Sequence, residues 1–567
     1  MNLGGTGTTV FAGVNTYNGA TTVRGGTLEV ASTGVINHAG SLTVASAPGD
    51  SATLRLHTGG SVSNFTATLA DGVGSHGTAT VSGGTWTSSS GLTIGSRGTG
   101  VLNLSGTGAI SNTSASLGAN AGSLGTANVS GGTWTSSGSF AIAVAGTGVL
   151  NLSGTGAVSN TLAIVGSVAG SHGTANVSGG TWTSSDNLTF GENGTGVLNL
   201  TGGTVHVGGL AGTGTVTLGL NAGSVGTLNL GTGGTVGTLN AATVTGGSGT
   251  GVVNFNHSGS YSFAPTLTGT LSVNKLGSGT TTLTGTNTYS GATLISAGTL
   301  QLGNGGTTGT LGATSAITNN ATLIFNRSDT ITQGSVITGS GEVRQNGTGT
   351  LTLSGANTYT GGTAISAGTL NLTNATDSAT GTGGLLLDAG AVLSGTGSLN
   401  AGTNAITLNG TLTIGDTTLG SAVRTDLELR TTGGPGITLG STGIMQFDLF
   451  SGAGAGDNTA IPTASDLLIL YGDISVLSGA SLLINNPNNL SAWAIGDQWR
   501  LWDVTNAGTR TGNFALANIL APALSGKVWN FDSQTGVLSI VSNIPEPSRA
   551  MLLMLGLCGM MIRRRRA

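Results

Sequence analysis

Gly83-Gly84-Thr85-Trp86-Thr87-Ser88-Ser89 returns as Gly131-Gly132-Thr133-Trp134-Thr135-Ser136-Ser137 and again as Gly179-Gly180-Thr181-Trp182-Thr183-Ser184-Ser185, at a constant step of 48. Leu102, Leu150 and Leu198, in Gly-Thr-Gly-Val-Leu-Asn-Leu, keep the same step. Each unit divides again. Val81, Leu104, Val129, Leu152, Val177 and Leu200 are each followed by Ser or Thr and then Gly, at alternating steps of 23 and 25, so the elementary unit is about 24 residues. It contains two short alternating segments, 78–81 and 92–94 in the first copy, separated by Gly, Ser, Thr and Asn. Period-2 alternation gives strands with one buried face, and glycine supplies the corners between them. The expected fold is all-β: a right-handed parallel β-helix (solenoid) over 1–435, with ~24-residue coils and 48-residue tandem repeats near 75–207. An antiparallel array of 48-residue hairpin modules is the competing architecture, and three copies are too few for a propeller ring.

Composition fits this reading. Of 567 residues, 6% are charged and 106 are glycine, against about 25% and about 7% in ordinary domains. Hydrophobic content of 37% still supports a core, and glycine has no strict three-residue period, which excludes collagen. Net charge is −4, with two lysines, Lys275 and Lys527, and no basic stripe, so no nucleic-acid partner is expected. The single cysteine, Cys558, leaves stability to regular packing. Met1 opens directly into Asn2-Leu3-Gly4-Gly5 without a basic or apolar leader, and an upstream export signal is expected.

A second motif flanks the tandem block. Phe11, Gly13, Asn15-Thr16-Tyr17, Val23 and Gly26-Thr27-Leu28 recur as Leu283, Gly285, Asn287-Thr288-Tyr289, Ile295 and Gly298-Thr299-Leu300, and as Leu353, Gly355, Asn357-Thr358-Tyr359, Ile365 and Gly368-Thr369-Leu370. These segments, near 6–30, 278–304 and 348–374, resemble the passenger-associated transport repeat of autotransporter proteins, a segment of β-helix that favours secretion of the passenger. No amphipathic strand series of an autotransporter barrel is visible in the sequence.

From about 440 the acids Asp466, Asp473, Asp497, Asp503 and Asp532 join Trp493, Trp499, Trp502 and Trp529, and 440–543 reads as a β-rich cap over the last coil. Residues 544–567 differ again: Pro545, Glu546 and Pro547, an apolar run over 550–562, then Arg563, Arg564, Arg565 and Arg566. As a helix the run rises about 20 Å against a hydrocarbon core of about 30 Å, a short transmembrane helix that suits a temporary anchor, with the arginines stopping in the cytoplasm. The order of parts resembles the PEP-CTERM sorting signal of Gram-negative bacteria. That resemblance implies an exosortase as partner, a transient inner-membrane intermediate, and release to the surface or matrix.

Chemistry is sparse. Up to Leu370 the chain holds seven acids, Glu29, Asp50, Asp71, Asp186, Glu192, Asp329 and Glu342, with no pairing that suits acid/base work. No catalytic residue, metal site or cofactor is expected. His76 and His172 share a Gly-Ser-His-Gly-Thr-Ala context, but Leu124 takes that place between them, so they read as partly buried corner residues. Asp448, Asp457 and Asp466 form at most a loose cation site and read better as solvated loop carboxylates. Trp86, Trp134 and Trp182, two coils or about 10 Å apart, form either an outward carbohydrate-stacking ladder or part of the core, the latter preferred.

The expected product is an exported structural or adhesive protein of about 18 coils, spanning ~85 Å at ~4.8 Å per coil. Its Thr, Ser and Asn ladders suit exopolysaccharide or other glycan contact. A polysaccharide-acting β-helix enzyme and an autotransporter adhesin passenger are the alternatives.

Overall fold

The structure, a computed structural model, describes residues 1–312, 316–414, 426–449, 465–485 and 494–543. They form two compact units divided after Arg327. Both are parallel β-solenoid, about 17 turns in all.

In the tandem block of the first unit each turn carries three strand segments. One turn runs through Thr99–Leu104 and then Ala109–Leu117, which bends and serves two faces. Thr99–Leu104 lies in register between His76–Val81 and Leu124–Val129. Residues 109–112 pair with Thr133–Ser136, and 115–117 pair within Ser139–Ile142. The segment missing from the two-segment reading is the one that bears the tryptophan. Its cause is the Gly-Gly bend: Gly84 has φ +73°, and a Cβ there would lie 2.2 Å from the Gly60 carbonyl oxygen, so only glycine turns this corner and the alternation restarts after it.

Register reproduces the sequence steps. Thr99 pairs with Leu124, a step of 25, and Leu124 with Thr147, a step of 23. Elsewhere the turn is shorter: Thr280 pairs with Thr299 and Thr350 with Thr369, a step of 19 in both. The ~24-residue coil therefore describes the tandem block, and the transport-repeat turns are tighter. Inward residues such as Leu102, Leu104, Ile110 and Leu117 are at most 2% exposed, each worth about 1.5–3 kcal/mol on burial. Another corner recurs once per turn in left-handed conformation at Ala45, Ala70, Gly95, Gly118, Ala143 and Gly166. A Cβ on Gly118 would stand 2.2 Å from the Thr147 carbonyl oxygen.

The second unit keeps parallel pairing beyond 440. Thr411–Thr413 pairs with Ile444–Asp448, which pairs with Ser481–Asn485. Ile437–Leu439 pairs with Leu467–Val476. A small antiparallel sheet follows, Gln498–Arg500 and Lys527–Asp532 on either side of Val537–Ser542. Its core is aromatic: Trp499 and Trp502 are fully buried, and Trp502 stands edge-on to Phe531 at 4.7 Å. Within 440–543 the acid- and Trp-rich composition thus spans solenoid turns followed by this sheet.

The expected membrane helix over 550–562, the Pro545-Glu546-Pro547 motif and Arg563, Arg564, Arg565 and Arg566 lie outside the described residues, as do Asp457 and Trp493. Among the described residues no helix is long and apolar enough to cross a membrane.

Candidate functional site

Three arrangements separate structural polarity from polarity offered to a partner. The first is internal. Trp86, Trp134 and Trp182 are at most 1% exposed, so they make no outward aromatic ladder. Each indole N–H donates to an asparagine Oδ1 one turn earlier, Trp86 to Asn64 at 2.9 Å, Trp134 to Asn112 at 2.7 Å and Trp182 to Asn160 at 2.7 Å. Each asparagine Nδ2 donates to a serine one turn later, Ser88, Ser136 or Ser184, at 2.9 Å. These partners lie in one inward column in which Asn and Ser alternate, beside a column in which Trp alternates with Ile or Val. The network closes only over two turns, and that is the physical origin of a 48-residue rather than a 24-residue period. Phe140 braces it edge-on to Trp134 at 4.9 Å.

The second arrangement is the Asn-Thr-Tyr corner. Asn287 accepts the Leu267 N–H at 2.8 Å and donates to the Thr310 carbonyl at 2.6 Å, so one side chain clamps the turns before and after its own. Asn357 does the same with the Ile337 N–H at 2.8 Å and the Ala379 carbonyl at 2.5 Å. Tyr289 and Tyr359 are fully buried and bond Thr293 and Thr363 at 2.6 and 2.5 Å. Burial pushes the Tyr359 hydroxyl pKa up. In the first copy Tyr17 is half-buried and stacks on His38 at 5.2 Å.

Lys275 takes an inward place filled by Phe255 one turn before. Its Nζ donates to the carbonyls of Gly277 and, at 3.4 Å, Ala297. Desolvation lowers its pKa to about 8. His257, buried nearby, bonds Thr281 at 2.7 Å, and its pKa is lowered first by burial and also by Lys275. Tyr261, edge-on to His257, is pushed up to about 12 by burial. Gln345 holds the place in the third copy of the transport motif that Lys275 holds in the second, and donates to the Gly347 carbonyl at 2.8 Å.

The third arrangement faces outward. Asn103, Asn128, Asn151, Asn176, Asn199, Asn229, Asn254 and Asn274 fall in one column through eight successive turns. Each is half-buried, and each Nδ2 from Asn128 onward donates to the preceding Oδ1 at 2.7 to 2.8 Å. Beside it runs a column of Val101, Thr126, Val149, Thr174, Val197 and Thr227. On these strands no Asp, Glu, Lys or Arg faces outward.

The passenger-associated-transport-repeat family profile matches residues 4–30, 273–302 and 343–372. Three segments of the chain are passenger-associated-transport repeats. The solenoid and these repeats give it the make-up of an autotransporter-type passenger, an exported, extracellular class of protein. No curated protein matches the chain.

The remaining candidates separate. His76 and His172 are exposed at strand starts rather than partly buried. They stand four turns apart in one column, through Thr99, Leu124 and Thr147, about 19 Å at ~4.8 Å per turn, so they share no ligand. Asp50 pairs with Arg24 at 3.2 Å, which lowers its pKa, and Glu192 accepts from Ser167 at 2.9 Å. Glu342 pairs with Arg344 at 2.9 Å, and Asp448 accepts from Asn485 at 2.8 Å. Strand patterning does not single out the asparagine ladder although its signal is present: from Asn103 to Asn199 the asparagines keep the same alternating steps of 25 and 23 as the core residues beside them.

Proposed function

We propose that this is a non-enzymatic, structural or adhesive protein of the cell surface or extracellular matrix of a Gram-negative bacterium, sorted by an exosortase that reads Pro545, Glu546 and Pro547. The observation that carries this reading is the transport repeat on a solenoid whose outward asparagine column and the Val/Thr column beside it carry no acid or base. The run over 550–562 would hold the chain transiently in the inner membrane, with Arg563, Arg564, Arg565 and Arg566 as the stop. A second reading, an autotransporter adhesin passenger, is favoured by the repeats alone.

Localisation of the intact chain against a variant lacking Arg563 to Arg566 tests the proposal. The intact chain should reach the surface or medium, and the variant should not. Identical localisation of the two overturns sorting by the tail.

A further inference from the structure

We propose that the outward strip formed by the asparagine ladder and the Val/Thr column beside it binds a neutral, extended β-1,4-linked polysaccharide lying along the solenoid axis. This rests on the surface-protein reading above and names the partner. Four observations converge. First, the strip is uncharged through eight turns. An anionic polymer finds no counter-charge there, whereas a neutral one is not stripped of ion hydration.

Second, an asparagine amide has two N–H donors and two acceptor lone pairs, and the ladder uses one of each. One donor and one acceptor per turn remain toward solvent, repeated at ~4.8 Å. Sugar hydroxyls both donate and accept, so a chain of sugars can answer this row without leaving either set unmet.

Third, the neighbouring column stands two residues away along each strand, ~7 Å. Every Val and Thr in it carries a γ-methyl, which gives an apolar rail beside the polar one. A pyranose ring with equatorial hydroxyls has the same division, C–H on its face and hydroxyl on its edge. Val and Thr alternate, so the rail repeats every two turns, ~9.6 Å. Successive rings of a β-1,4-linked chain are turned over, so that polymer also repeats every two units. An α-1,4-linked chain coils and cannot follow a straight rail.

Fourth, the competing outward hydroxyl column is bonded only in alternate pairs and offers its donors half as often. Ser111 donates to Thr87 and Ser159 to Thr135, both at 3.1 Å. Per two turns that column keeps one free donor, whereas the asparagine face keeps one in every turn, in step with a polymer laid along it.

The test uses the intact chain with microcrystalline cellulose and chitin as probes, and starch and alginate as comparators. Retention on cellulose or chitin is expected, with none on starch or alginate. Equal retention on either comparator, or none on the β-1,4 polymers, overturns the proposal. The triple variant Thr126→Lys, Thr174→Lys, Thr227→Lys should weaken binding about ten-fold or more, a loss of about 1.4 kcal/mol. Ser111→Lys with Ser159→Lys on the other face should leave it unchanged, and the opposite pattern overturns the proposal. A measurement on the unaltered chain needs no variant: cellohexaose should slow amide hydrogen exchange in Thr147–Leu152 and not in Thr133–Ser136, and equal or absent slowing contradicts it. A chain that reaches the surface but ignores cellulose and chitin refutes this strip alone. A chain that binds them but is never exported refutes the delivery reading alone.

Discussion

The tandem block and the transport-repeat turns build the same kind of turn with buried asparagines used in opposite ways. In the block Asn112 bonds other side chains, Trp134 and Ser136, so its neighbours must carry those residues. In the transport repeats Asn287 and Asn357 clamp backbone groups of adjacent turns. A network of side chains across turns forces a two-turn tandem. A clamp on backbone accepts any neighbouring sequence, so its copies can be dispersed, as they are at Asn287 and Asn357, while Asn15 reaches the following turn at the Val35 carbonyl.

That contrast can be broken at several points. Trp134→Ala empties a fully packed site and leaves Asn112 without its donor, and should cost about 3–5 kcal/mol. Because solenoid turns contact mainly their neighbours, hydrogen exchange should localise the loss to adjacent turns. A uniform loss throughout the unit would mean that the block is not locked turn by turn. Asn357→Ala leaves a buried N–H at Ile337 and a buried carbonyl at Ala379 unmet, and denaturant titration should read a loss of about 1–3 kcal/mol. Tyr359→Phe removes one buried bond to Thr363 and should cost about 0.5–1.5 kcal/mol. If Tyr359→Phe costs more than Asn357→Ala, the corner is held by the ring hydroxyl and the clamp account is wrong.

Lys275 gives a pH-dependent test. Its folded pKa is lowered from 10.5 to about 8, so between those values the unfolded chain binds more protons and stability rises with pH. Below about 8 both states carry the charge, and above 10.5 neither does. His257, lowered below 6.5, adds a separate rise as pH climbs through its lowered value toward 6.5, where the unfolded chain again holds the extra proton. Lys275→Gln, copying Gln345, should remove the rise that begins near pH 8 and keep the acidic one in thermal melts across pH. A slope unchanged by the substitution would place its origin elsewhere.

Much of this was legible in sequence. The steps of 23 and 25 are the observed register between turns, because in a solenoid each step is the path once around the coil. The Trp-bearing strand was not, since Gly83-Gly84 breaks the alternation that reveals strands. Nor was the exposure of His76, because a corner and a strand start share the same Gly-rich context. The asparagine ladder was hidden by its constancy: Asn103 lies between Leu102 and Leu104, which decide the strand, and polar residues between core residues carry no fold signal of their own.

Delivery outside the cell by the tail, as proposed above, leaves its mark on the mass of the mature protein. The intact mass of the protein recovered from the cell surface or medium tests it most directly. A mature chain that has lost Arg563, Arg564, Arg565 and Arg566 is expected, and a chain that retains all four and is found only in the inner membrane or cytoplasm would refute delivery by the tail.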